Sequence, residues 1–173
     1  MITPPEWPRL LPSNVVVNVA TLGPVGRLPA PGTWGTVAGV AWYIVMYGTG
    51  NALLGLVLTL LVLYLAFAFC GEAESRMRKI DPPEVVIDEF ACVPVIYLGL
   101  DDLMATGEAW IIVLAGFVLF RVLDITKPLG IHGLQRFPGG LGVVLDDVAA
   151  ALASCVGLHL VFRLTPFLDW VRG

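Results

Sequence analysis

Between Phe120 and Ala150 an otherwise apolar stretch carries Arg121, Asp124, Lys127, Asp146 and Asp147. Upstream, VVIDEF brings Asp88 and Glu89 as a second pair of adjacent acids. Carboxylates set beside long apolar runs are costly in a bilayer unless they meet cations or a metal. Several converging acids without histidine or cysteine suit a hard cation, Mg²⁺ above all. Asp88, Glu89, Asp124, Asp146 and Asp147 are therefore candidate metal ligands and catalytic groups, with Lys127 as a catalytic cation. A simpler reading exists for Asp124, since Arg121 and Lys127 both lie three residues away, a spacing that forms helical ion pairs.

A second chemical feature is the segment LPAPGTWGT, which ends where an apolar helix begins. Backbone N–H groups and the helix dipole at such a start attract anions, and Thr33 or Thr36 could add a hydroxyl. Glycine- and proline-rich segments also commonly just turn the chain. Beside a carboxylate-held Mg²⁺, however, Gly32, Thr33, Gly35 and Thr36 become candidate phosphate-binding residues, with Lys127 and Arg121 as counter-charges. Arg136 is a further candidate counter-charge.

These groups must be positioned by helices in a membrane. Of 173 residues, 57% are hydrophobic and only 14% charged, and mean hydropathy is +0.84. Soluble domains carry roughly a quarter charged residues. No formal charge occurs from Leu28 to Gly71, enough chain for two short crossings. The expected fold is all-α: a small integral membrane bundle of about five membrane helices, forming one domain over residues 1–173. Helices are expected at about 36–47, 52–70, 81–98, 109–123 and 143–164, with a short interfacial helix in VVVNVATL. Asp81-Pro82-Pro83-Glu84 has the pattern of a capping box that would open the third of them. On the last helix, Ala150, Ser154 and Gly157, and equally Ala149, Ala153 and Gly157, form small-residue stripes that permit close helix packing.

Basic residues in short loops mark the cytoplasmic side. Arg27, Arg76, Arg78, Lys79, Lys127 and Arg136 all flank one set of helix ends, whereas the loops at 48–51 and 100–108 carry none. With the N-terminus inside, every chemical motif reaches the cytoplasmic ends in one leaflet; Arg163 and Arg172 fit this scheme poorly. A cytoplasmic membrane location, with the site facing the cytoplasm and its substrate in the bilayer, is the expectation. The N-terminus lacks the basic n-region of a signal peptide. A net charge of −4 offers no basic patch for nucleic acid.

PAPGTWGT, VVIDEF, FRVLDITKP and GLGVVLDDVAA, in this order and at these separations, resemble the phosphatidylglycerophosphatase A family over roughly residues 18–160. That resemblance implies a small multi-helix membrane enzyme that removes the terminal phosphate from phosphatidylglycerol phosphate and requires Mg²⁺. It places Asp88, Glu89, Asp124, Asp146 and Asp147 on the family's acidic positions and Lys127 on its basic one. Gly71 departs from relatives that carry a polar histidine there.

Other phosphatase chemistries fit less well. Cys70 and Arg76 have the C-x5-R spacing of cysteine phosphatases, but Glu72 and Glu74 between them would repel a phosphate. Cys70, Cys92 and Cys155 read instead as small buried hydrophobes. A histidine nucleophile needs a second histidine and nearby cations; His159 lies deep in the last helix and reads as packing, and His132 lies in a loop. The DGxxAR pattern of CDP-lipid phosphotransferases is not present. A transporter or scaffold with buried carboxylates would spread its acids across membrane depth rather than gather them at one level.

Overall fold

The structure, a computed structural model, describes residues 5–128 and 140–164. It is all-helical over these residues. A 3-10 turn at Trp7–Leu10 leads into α1 (Ser13–Ala20), and a second at Val25–Arg27 leads into α2 (Pro31–Tyr47). There follow α3 (Ala52–Met77), α4 (Ile87–Ile96), the single turn α5 (Asp101–Met104), α6 (Ala109–Thr126) and α7 (Gly140–Leu164).

Among the described residues three helices, α3, α6 and α7, are long and apolar enough to cross a membrane, and they mark the chain as an integral membrane protein. The other two of the five expected helices are shorter. α2 has 17 residues and α4 only 10. At 1.5 Å per residue, α4 spans about half of a hydrocarbon core roughly 30 Å thick. It lies inside the bundle, packed against α2, α3, α6 and α7, with every residue but Glu89 and Phe90 buried. A helix apolar on all sides belongs in such an enclosed position.

Helix boundaries differ from expectation in three places, each for a local reason. α2 begins at Pro31 because Ala30, at φ +54°, reverses the chain and proline is favourable in a first turn. GTWGT is therefore helix rather than loop. α3 continues past Cys70 to Met77, where Arg76 pairs with Glu72 one turn earlier at 2.7 Å. The expected cap at Asp81–Glu84 does not form: Asp81 sits at φ +46°, Glu84 pairs with Lys79 at 2.7 Å, and α4 starts only at Ile87.

Glycines set how closely the helices approach. Gly32, Gly35 and Gly39 share one face of α2. A Cβ on Gly35 would lie 2.8 Å from Val86 Cβ, and one on Gly39 would lie 2.5 Å from Val93 Cγ2. α2 and α4 are thereby held in backbone contact. At the start of α7, a Cβ on Gly140 would lie 2.4 Å from the Gly71 nitrogen, so α3 and α7 meet there just as closely. Ala150 and Ser154 are fully buried further along α7, as expected of a close-packing stripe.

Candidate active site

Four helix ends converge on one cavity of about 360 Å³: the start of α2, the start of α4, the end of α6 and the start of α7. Its walls carry Gly32, Asp88, Glu89, Arg121, Asp124, Lys127, Asp146 and Asp147. All five acids, with Arg121 and Lys127, thus face one space. Asp88 and Glu89 stand in the first turn of α4, where the dipole favours negative charge. In both acidic pairs the first carboxylate accepts the backbone N–H of the second, Glu89 N to Asp88 Oδ1 and Asp147 N to Asp146 Oδ1, each at 3.1 Å.

The geometry divides the acids into two groups. Asp88, Glu89 and Asp147 each offer an oxygen within 4.8 Å of the other two. Asp124 and Asp146 lie against the cations: Arg121 Nη1 donates to Asp124 Oδ2 at 2.7 Å, and Lys127 Nζ donates to Asp146 Oδ2. The helical ion pair foreseen as the simpler reading of Asp124 does form, but within the shared cavity. Arg121 Nη1 also lies 3.7 Å from Glu89 Oε1, and Lys127 Nζ lies 4.0 Å from Asp124 Oδ1. The two cations therefore tie α6 to α4 and α7.

Lys127 follows α6 as its left-handed cap at φ +42°, which turns its side chain back over the cavity. Partial burial alone would lower its pKa. Hydrogen bonding to Asp146 and the charges of Asp146, Asp147 and Asp124 outweigh that and hold it above its ordinary value. It is a fixed positive charge at neutral pH.

The glycine-rich segment reaches the cavity only through Ala30, Pro31 and Gly32. A Cβ on Gly32 would sit 2.2 Å from Glu89 Oε1 and 3.2 Å from Arg121 Nη1, so a larger residue there would displace the ends of both side chains. Thr33, Gly35 and Thr36 do not line the wall. Gly35 faces Val86, and the Thr36 hydroxyl donates to the Gly32 carbonyl at 2.9 Å. Asp81, for which the sequence left open a cap or a place among the functional acids, also lines the wall, with Pro82 and Pro83.

Competing sites dissolve in this geometry. Residues 70–76 are helical, Cys70 is fully buried, and Arg76 is engaged by Glu72, Ser13 and the Arg9 carbonyl. Cys92 and Cys155 are buried as well, and no disulfide joins the three. His159 hydrogen-bonds the Leu98 carbonyl at 2.9 Å and accepts from Arg163 Nε at 3.0 Å, which makes it a packing residue. His132, Arg136 and Arg172 lie outside the described residues.

A small helical membrane protein that gathers acids, an arginine and a lysine at one set of helix ends has the makings of an integral membrane lipid phosphatase. The comparisons give that class its family: residues 18–162 match the model of phosphatidylglycerophosphatase A. The chain belongs to this family. A Haemophilus influenzae protein named phosphatidylglycerophosphatase A is 32% identical over 83% of this chain and 92% of its own length. The Escherichia coli K12 protein of the same name is 30% identical over 76% of this chain and 73% of its own. A Bacteroides thetaiotaomicron protein, provisionally named phosphatidylinositol-3-phosphatase, is 35% identical over 94% of this chain and 98% of its own. No solved structure matches the chain significantly.

Proposed function

We propose that the protein hydrolyses phosphatidylglycerol phosphate to phosphatidylglycerol and phosphate, at a Mg²⁺-dependent site facing the cytoplasm. The observation that carries this reading is the single cavity in which three clustered carboxylates stand beside two partly buried cations. The donor set fits a hard cation. It is all oxygen, and Glu89 Oε2 and Asp147 Oδ2 are buried with no hydrogen-bond partner among the described residues. Asp88, Glu89 and Asp147 would hold the ion, with Asp124 and Asp146 as further oxygens within the same cavity. When bound, Mg²⁺ would polarise the phosphoryl group and lower the pKa of an attacking water.

The protein's own groups supply the rest. Arg121 and Lys127 pair with the terminal phosphate and fix its orientation, while Asp124 and Asp146 hold those cations in place. A cavity carboxylate accepts the proton of the water that adds to phosphorus. The phosphorus–oxygen ester bond breaks, and the glycerol oxygen leaves with the proton that the carboxylate took from the water. Gly32 keeps the α2 backbone close to Glu89 and Arg121, where the first-turn N–H groups favour an anion. The basic residues flanking this end of the bundle favour a cytoplasmic orientation.

A panel of phosphatidylglycerol phosphate, phosphatidylinositol 3-phosphate and phosphatidic acid, offered to purified protein with Mg²⁺, tests the substrate. The glycerol lipid should lead in kcat/KM by about tenfold or more. The Bacteroides relative's name favours the inositol lipid as the alternative, and preference for it would move the assignment there. Inertness toward the whole panel would overturn the lipid phosphatase.

A further inference from the structure

We infer that the groove between α2 and α6 binds an acyl chain of the phospholipid substrate, so that the enzyme grips its lipid by the tail as well as by the phosphate. This rests on the lipid phosphatase reading and extends it. The groove encloses about 580 Å³, and its walls include Val37, Val40 and Ile44 from α2 and Trp110, Leu114 and Phe117 from α6. The same two helices form part of the acidic cavity, through Gly32 at the start of α2 and Arg121 near the end of α6. Groove and cavity therefore share two walls and follow each other along the bundle.

The dimensions identify the occupant. Phe117 is one helical turn from Arg121, about 6 Å along the axis, and Trp110 is eleven residues away, about 16 Å. On α2, Val37 and Ile44 stand about 7 and 18 Å from Gly32. The groove thus begins one turn from the phosphate-binding cations and ends at about the depth of one leaflet, half of a core roughly 30 Å thick. An acyl chain in the same leaflet as the reacting headgroup has that reach. Among the described residues its lining is almost wholly hydrocarbon or aromatic, with Tyr43 and Tyr47 the only hydroxyl-bearing ones, which suits a tail.

The test compares substrates with and without tails. Val37→Trp and Leu114→Trp would fill the groove from its two sides; both residues are largely exposed, so the bundle should tolerate them. With long-chain phosphatidylglycerol phosphate, KM should rise about tenfold or more, because each methylene expelled loses its contacts. Hydrolysis of the deacylated headgroup phosphate should change less than about twofold. An equal loss on both substrates, or no loss on the long-chain lipid, would overturn the groove. A second arm needs no turnover: a phospholipid monoester with a photoreactive acyl chain should label Val40 and Leu114 in the wild-type protein, and excess unlabelled lipid should suppress it. Labelling spread evenly over Leu60, Leu61 and the groove, or insensitive to competitor, would contradict the proposal. Should wild type hydrolyse no lipid phosphate, the catalytic reading fails, and the labelling arm still decides the groove.

Discussion

Where α5 meets the end of α7, Arg163 reaches Asp102 with two hydrogen bonds, of 2.7 and 3.1 Å, and the Gly99 carbonyl with another of 2.6 Å. Its Nε is taken by His159. At the start of α7, seventeen residues and about 25 Å away, five carboxylates share Arg121 and Lys127. The first arrangement is exposed and satisfied within the protein. The second is buried, exceeds Arg121 and Lys127 in charge, and leaves two carboxylate oxygens without a hydrogen-bond partner among the described residues. Burying like charges together is unfavourable unless something binds them. The contrast teaches which polar end is a clasp and which is a site, and it explains why Arg163 fits the loop-charge rule poorly: its charge is matched locally by Asp102.

The largest effect expected is at the three clustered acids. Asp88→Asn and Asp147→Asn should each lower kcat/KM by about two to three orders of magnitude, measured as phosphate release, with little change in helicity. If either variant keeps wild-type activity, the two ends differ only in burial. Next comes Lys127→Met, which removes the ammonium that donates to the buried Asp146 and should cost about 1–3 kcal/mol of stability, besides activity. Adding Asp146→Asn should restore most of the stability and none of the rate; a melt in detergent separates the two.

Smaller effects come from the scaffold between the ends. Gly39→Ala pushes a methyl against Val93 and the Phe90 carbonyl and should destabilise by about 1–3 kcal/mol while activity per folded molecule changes little. The smallest effect is at the clasp. Arg163 holds the Asp102 carboxyl below its ordinary value, so the pair's contribution is present above the unfolded pKa and lost only as pH falls through the folded one. Asp102→Asn should therefore leave activity unaltered, and thermal stability near neutral pH should move only at the limit of detection. A large loss of turnover in Asp102→Asn would mean that the clasp takes part in function after all.

Much of this was legible in the chain because its signals are local. α3, α6 and α7 announce themselves as long, mostly apolar runs, and VVIDEF, FRVLDITKP and GLGVVLDDVAA place their acids and cations on the cavity that the fold builds. Boundaries were less legible. Pro31 looks like a loop residue unless the left-handed Ala30 before it is known, and Asp81-Pro82-Pro83-Glu84 imitates a cap that Asp81's positive φ prevents. The extent of the third expected helix was overestimated, because α4 ends after ten residues. The split of the acids into a cluster of three and two cation-held partners depends on helices far apart in sequence, and spacing alone cannot show it. Thr36 illustrates the same limit, since its hydroxyl satisfies its own helix rather than a ligand.

The most direct measurement is phosphate release from phosphatidylglycerol phosphate by the purified protein, with Mg²⁺ and after complete chelation. Turnover should depend on the added cation, vanish on chelation and return when Mg²⁺ is restored. Activity that survives complete chelation would contradict the central claim that the acid-rich end of the bundle is a metal-dependent phosphatase site.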